Sequence, residues 1–78
     1  MDAEPGSAIA RRLGPRVRAR RRELGISVRE LAQRIDVSPS FVSLVETGRC
    51  APSVDTLRAL SRELGISAAE LLAQPGVT

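Results

Sequence analysis

The sequence predicts an all-α domain of five short helices, on three observations. Helix stops and restarts recur along its 78 residues. Gly25, Gly48 and Gly65 stand where a left-handed residue ends a helix, and Ser27, Ser38, Ser53 and Ser67 stand where a side-chain oxygen opens the next. Between these marks, apolar residues recur at intervals of three, four and seven, the spacing of one helix face. No segment reads as a half-buried strand.

Each element follows from local chemistry. Residues 1–8 (MDAEPGSA) are small, acidic and Pro/Gly-bearing without periodicity and read as a flexible leader; residues 74–78 read as a flexible tail, which leaves a domain at 9–73. Ile9, Leu13, Val17 and Leu24 draw a first helix over about 9–24, with Gly14-Pro15 weakening its first turn. Ser27 with Glu30 is a capping-box signature for a second helix over about 28–35, with Leu31, Ala32 and Ile35 inward. After the short turn Asp36-Val37-Ser38, Ser38 as cap and Pro39 at the first position open a third helix over about 39–47. Its Val42 and Val45 point inward and Phe41 is half covered. Past the loop Arg49-Cys50-Ala51-Pro52, Ser53 caps a fourth helix whose Val54, Leu57, Leu60 and Leu64 make an amphipathic stripe ending at Gly65. Ser67 with Glu70 repeats the box, and Leu71-Leu72 complete a short fifth helix. The near-copies ELGISVRE (23–30) and ELGISAAE (63–70) use one device twice: a helix stop, an apolar staple at Ile26 or Ile66, and a capped restart.

Composition narrows the function classes. A chain this short closes its core with tightly packed helices or by oligomerisation. With no His and one Cys, zinc-finger ligation, Cys–His nucleophilic pairs and disulfide frameworks are excluded. No acid–base or nucleophile constellation is present, so the sequence implies neither an enzyme nor a cofactor or metal. No apolar run approaches the roughly 18 residues of a membrane span, and none follows the N-terminal arginines as in a signal peptide. A soluble cytoplasmic protein is expected, and the lone Cys50 fits a reducing compartment. The basic residues number twelve, all Arg, against nine acids, for a net charge of +3. Arg11, Arg12, Arg16, Arg18, Arg20, Arg21 and Arg22 cluster with no acid among them. Charge this uneven points to an anionic partner, nucleic acid before membrane surface. The first helix lacks the bulky apolar face that membrane binding requires.

Residues 13–72 resemble the phage repressor and Cro type of helix-turn-helix domain, also called the xenobiotic-response-element family. The resemblance rests on ELAQRI, the turn, SPSFVS, ETG and the PSVDTL entry into the fourth helix, in that order and spacing. The run from Ser38 to Ser67 looks most like the N-terminal reader of regulators that carry a C-terminal cupin sensor domain. The resemblance implies a compact five-helix repressor-like fold of bacterial or phage origin. In it the second and third helices cross steeply, and the outer face of the third enters a major groove about 12 Å wide.

By position, the family implies base-edge contacts from Pro39, Ser40, Ser43 and Leu44. Family members often carry Gln, Arg or Lys where Pro39 and Leu44 stand, so bidentate readout is unavailable at those two positions. Single hydrogen bonds from Ser40 and Ser43, and contact of Leu44 or Pro39 with a thymine methyl, leave a modest direct readout supplemented by water, shape and dimer spacing. Phosphate contacts are expected from the Val28 main chain, Arg29, Ser38, Thr47 and Arg49, with Arg16 and Arg18 secondary; the resemblance puts much of the first helix on the far side of the reading helix, so most of its arginine cluster is expected to act only as long-range attraction. The resemblance further implies that Arg21 pairs with Glu46 and fixes the third helix. A homodimer on a two-fold site is expected, joined through Ile66, Ala69, Leu71 and Leu72. The implied function is a sequence-specific double-stranded-DNA-binding transcriptional regulator, a repressor. The rival is an antitoxin or protein-binding adaptor on the same scaffold.

Overall fold

A computed structural model describes residues 5–72, with side chains from residue 8 onward; the expected tail at 74–78 and the first four residues of the expected leader lie outside the described residues. Among the described residues there are five helices: α1 (Pro5–Glu23), α2 (Val28–Arg34), α3 (Pro39–Glu46), α4 (Val54–Leu64) and α5 (Ala68–Leu72). No strand occurs among the described residues. Helix α1 lies across α3, α4 and α5, and α2 packs on α3. The core between them is aliphatic: Leu13, Val17, Ile26, Leu31, Ala32, Val42, Val45, Leu60, Leu64 and Leu71. Phe41 is half-buried and packs against this cluster.

The restarts follow the serines. Ser27, Ser38 and Ser53 each accept a hydrogen bond from the amide three residues on, at 3.0, 3.1 and 3.2 Å. The two near-copies differ in one respect. Glu70 completes its box by accepting from the Ser67 amide at 3.2 Å. The Glu30 carboxylate instead pairs with Arg34 at 2.9 Å, because the position four residues on carries a cation, whereas the residue in the same place after Glu70 is the neutral Gln74. The expected box at α2 is therefore only half formed.

The stops carry left-handed residues. At the end of α1, Gly25 (φ 72°) sits in a double hydrogen-bonded stop, with its own amide donating to the Arg22 carbonyl at 3.0 Å and that of Ile26 to the Arg21 carbonyl at 3.2 Å. The same pattern closes α2 around Asp36, a non-glycine residue at φ 62°. Its amide reaches the Gln33 carbonyl at 3.3 Å and the Val37 amide reaches that of Ala32 at 3.0 Å.

Helix α1 departs from expectation in three ways. It begins at Pro5, earlier than the apolar spacing indicates. Ile9 and Leu24, expected on its buried stripe, keep 36% and 41% of their surface exposed; Ala10, Leu13 and Val17 form the buried face instead. Gly14-Pro15 lies in mid-helix, not in a weakened first turn. Pro15 stands on the exposed side, and Gly14 faces the end of α3. A β-carbon at Gly14 would lie 2.5 Å from the Val45 carbonyl oxygen and 2.6 Å from that of Glu46. The glycine is there because two backbones meet. On α4, Val54 is likewise outside the core at 66% exposure, while Leu60 and Leu64 are buried.

Candidate nucleic-acid interface

Helix α3 presents the surface in question. Burial of Val42 and Val45 turns the remaining positions outward, and Pro39, Ser40, Ser43 and Leu44 are all exposed, Leu44 to 42%. Eight residues at about 1.5 Å each make a rod about 12 Å long, on the scale of a major groove. The face offers two hydroxyls, a ring and a branched aliphatic, with no charge among these four.

The orientation of α3 is set from α1. Arg21 meets Glu46 side-on, with Nε donating to Oε2 at 2.6 Å and Nη2 to Oε1 at 3.1 Å. Nη1 donates to the Ile26 carbonyl at 2.9 Å, so one guanidinium ties the end of α3 to the link before α2. The side chains retain 11% and 6% of their surface. The hydrogen bond to Glu46 raises the Arg21 pKa above its ordinary value, burial opposes it, and the Coulombic attraction of Glu46 adds to the rise. A charge-assisted bidentate pair at the base of α3, next to the Gly14 contact, holds the helix from its inner side.

The expected phosphate contacts are placed unequally. Arg29 and Arg49 are exposed, and the Arg49 amide closes α3 on the Leu44 carbonyl at 2.9 Å. Val28 packs partly against the core, leaving its main-chain amide as the group it offers. The Ser38 oxygen caps α3. Thr47 is exposed, but its hydroxyl donates back to the carbonyls of Ser43 and Leu44 at 3.0 and 3.2 Å, so its proton is already engaged.

Of the four residues expected at a dimer contact, Leu71 is corrected: it is fully buried in the chain's own core. A five-residue helix has one inward position to close the core, and Leu71 takes it. Ile66 and Leu72 are half-buried against the core and Ala69 is exposed.

Sequence reasoning missed three structural roles, the close backbone contact of Gly14 and those of Arg20 and Gly48. Arg20, counted only as charge, donates from Nε to the Leu64 carbonyl at 2.7 Å and pairs with Glu23 at 3.0 Å, closing the end of α4. Gly48 rests on α1: a β-carbon there would lie 3.5 Å from the Arg11 Cα and 3.6 Å from the Ala10 carbonyl oxygen. A glycine inside a helical pattern was the available signal for Gly14; Arg20 carried none.

Comparison with known proteins agrees with this geometry. A family model described as helix-turn-helix matches residues 17–71. The chain is 36% identical over 64 residues to an uncharacterized HTH-type transcriptional regulator of Mycobacterium tuberculosis, covering 82% of this chain and 46% of that protein. It thus spans about half the length of this relative and of the HTH-type transcriptional regulator DdrOP3 of Deinococcus deserti, to which it is 34% identical over 61 residues. Among solved structures, it is similar to the P22 c2 repressor in complex with a synthetic operator, with a TM-score of 0.75 and 37% identity over 77% of this chain and 91% of that one. It is also similar to the clp gene regulator ClgR of Corynebacterium glutamicum, with a TM-score of 0.75 and 37% identity over 90% and 72% of the respective chains.

Proposed function

The chain belongs to the helix-turn-helix family, and from that membership we propose that it is the sequence-specific double-stranded-DNA reader of a transcriptional regulator, acting as a repressor and binding as a homodimer. The observation that carries this reading is the exposed α3 face, held outward by the Arg21–Glu46 pair on the frame of the P22 c2 repressor, whose structure contains operator DNA. Ser40 and Ser43 each give a hydrogen bond to a base edge, and Leu44 and Pro39 meet thymine methyls. Arg49 and Arg29 contact phosphates, with the Val28 amide and Ser38 at the helix starts beside them. Thr47 joins them only by releasing its own helix carbonyls. Exposed Ala69, flanked by Ile66 and Leu72, supplies the two-fold contact.

Direct readout without an arginine or glutamine fork is modest, and the remaining specificity comes from water, duplex shape and half-site spacing. Selection of bound sequences from a random duplex pool tests the whole reading. A two-fold consensus is expected, and Leu44→Ala is expected to relax preference at one thymine in each half. Recovery of no preferred sequence would refute it. The absence of long polar side chains among the four reading positions also favours a second reading, a protein-binding adaptor such as an antitoxin. Salt separates the two, since duplex binding through several phosphates weakens steeply with ionic strength.

A further inference from the structure

We propose that the outer face of α1 is a second phosphate-binding surface, which carries the contact with DNA past the half-site onto the flanking duplex. The proposal rests on the DNA-reading function above. The arginine cluster divides into two stripes once it is wound into a helix. Arg11, Arg18 and Arg22, spaced i, i+7 and i+11, share the side of α1 next to the end of α3, and all three are exposed. Arg18 and Arg22 line the groove between the two helices, together with Pro15, Ala19 and Glu46. Arg12, Arg16 and Arg20 fall on the other side; Arg12 and Arg16 meet Arg11 across Pro15 and Ala19, and Arg16 and Arg20 share a surface with Glu23 and Glu70.

The charge environments of the stripes differ. Near Arg16 and Arg20, acids offset the cations, and Arg20 is spent on Leu64 and Glu23. Among the described residues, the one carboxylate lining the α3-side groove, Glu46, is held by Arg21. The α3-side stripe thus remains strongly positive, and its small residues Pro15 and Ala19 leave a shallow channel for a backbone. The occupant follows from continuity. Gly48 rests on the main chain of Ala10 and Arg11, so the start of the stripe lies against the residue that precedes Arg49, the exposed arginine after α3. From Arg11 to Arg22 the stripe runs about 16 Å along α1 at about 1.5 Å per residue. A duplex offers a phosphate every ~3.4 Å of axis on each strand, so a polyanion already gripped at Arg49 meets a row of cations leading away from it.

The test uses the full chain and a duplex selected by it from a random pool, in two forms: the selected core alone, and the core flanked by a helical turn on each side. Affinity is measured over a salt series for the wild type, for Arg11→Gln/Arg22→Gln, and for Arg58→Gln/Arg62→Gln, which removes the same charge from exposed positions on α4. On the flanked duplex, the slope of log affinity against log salt is expected to fall by about 2 per bound chain in the α1 variant, at about 0.9 per phosphate contact, and to change little in the α4 variant. On the bare core the α1 variant is expected to match the wild type, and Arg11→Lys/Arg22→Lys is expected to restore the slope on the flanked form. Equal slopes for the α1 and α4 variants overturn the proposal while leaving DNA reading intact, and direct the stripe to an acidic protein partner. Failure of the wild type to bind any duplex overturns the functional reading, and this surface with it.

Discussion

At the scale of single residues, two contacts between α1 and α3 govern where the outward face of α3 points. Arg21 and Glu46 are 25 positions apart in sequence, and no helical spacing rule pairs them; the resemblance was the only route to the pair before the structure. Truncating Arg21 leaves the Glu46 carboxylate in a site with 6% of its side-chain surface open. Arg21→Ala is expected to cost about 3 kcal/mol in urea unfolding, the lower end of the range for broken buried pairs, since Arg21 itself keeps some solvent. A loss below about 1 kcal/mol would class the pair with surface bridges. The pH behaviour follows from the direction of the Arg21 shift. A cation whose folded pKa is raised contributes its full stability below the ordinary arginine value of the unfolded chain, and loses it only as pH rises through the still higher folded value. The titration of Arg21 is therefore expected to make no change in stability between about pH 6 and 9. Gly14 gives a second test. On an isolated helix Gly→Ala gains about 1 kcal/mol, but here the new methyl meets two backbone carbonyls that cannot rotate away. Gly14→Ala is expected to lower stability by about 1–3 kcal/mol. A variant as stable as the wild type would mean that α1 lifts off α3 at little cost.

At the scale of elements, what was legible was what is decided locally. The starts of α2, α3 and α4 were readable because a serine oxygen and an amide three residues on settle them without help from the rest of the chain. The outward face of α3 was readable too, since Val42 and Val45 fix its opposite side. Periodicity gives a face but not its partners. Ile9, Leu24 and Val54 continue apolar stripes past the point where another helix covers them, and so remain exposed. The end of α2 is settled by Asp36, which occupies the left-handed position that glycine fills at the other three stops. A side chain there strains against its own carbonyl, less for Asp than for most residues. Asp36→Gly is expected to raise the unfolding midpoint by an amount equivalent to about 0.5–1 kcal/mol, with the greater freedom of glycine in the unfolded chain offsetting part of the gain. If the midpoint falls instead, the Asp36 side chain holds the turn by a contact that outweighs the strain.

At the scale of the whole molecule, the clustered charge and the surplus of apolar groups have parted company with the roles the sequence assigned them. Two of the seven clustered arginines are internal ties: Arg20 closes α4 and Arg21 fixes α3. Leu71 is core, so the expected contact between copies contracts to Ala69 and the exposed edges of Ile66 and Leu72. In the proposed homodimer, a face this small would hold two copies together weakly in free solution and gain its effect on DNA, where two copies bound side by side would make the second binding event intramolecular. Such an arrangement predicts that association is visible mainly as cooperativity. Ala69→Glu places like charges opposite each other across the two-fold axis while leaving the core and α3 untouched. It is expected to leave thermal stability and affinity for a single half-site unchanged, and to abolish cooperative binding to the complete selected site, read as separate steps for the two halves in a gel-shift titration. Cooperative binding that survives the substitution would place the contact between copies elsewhere, with Val54, exposed to 66% on α4, as the next position to change.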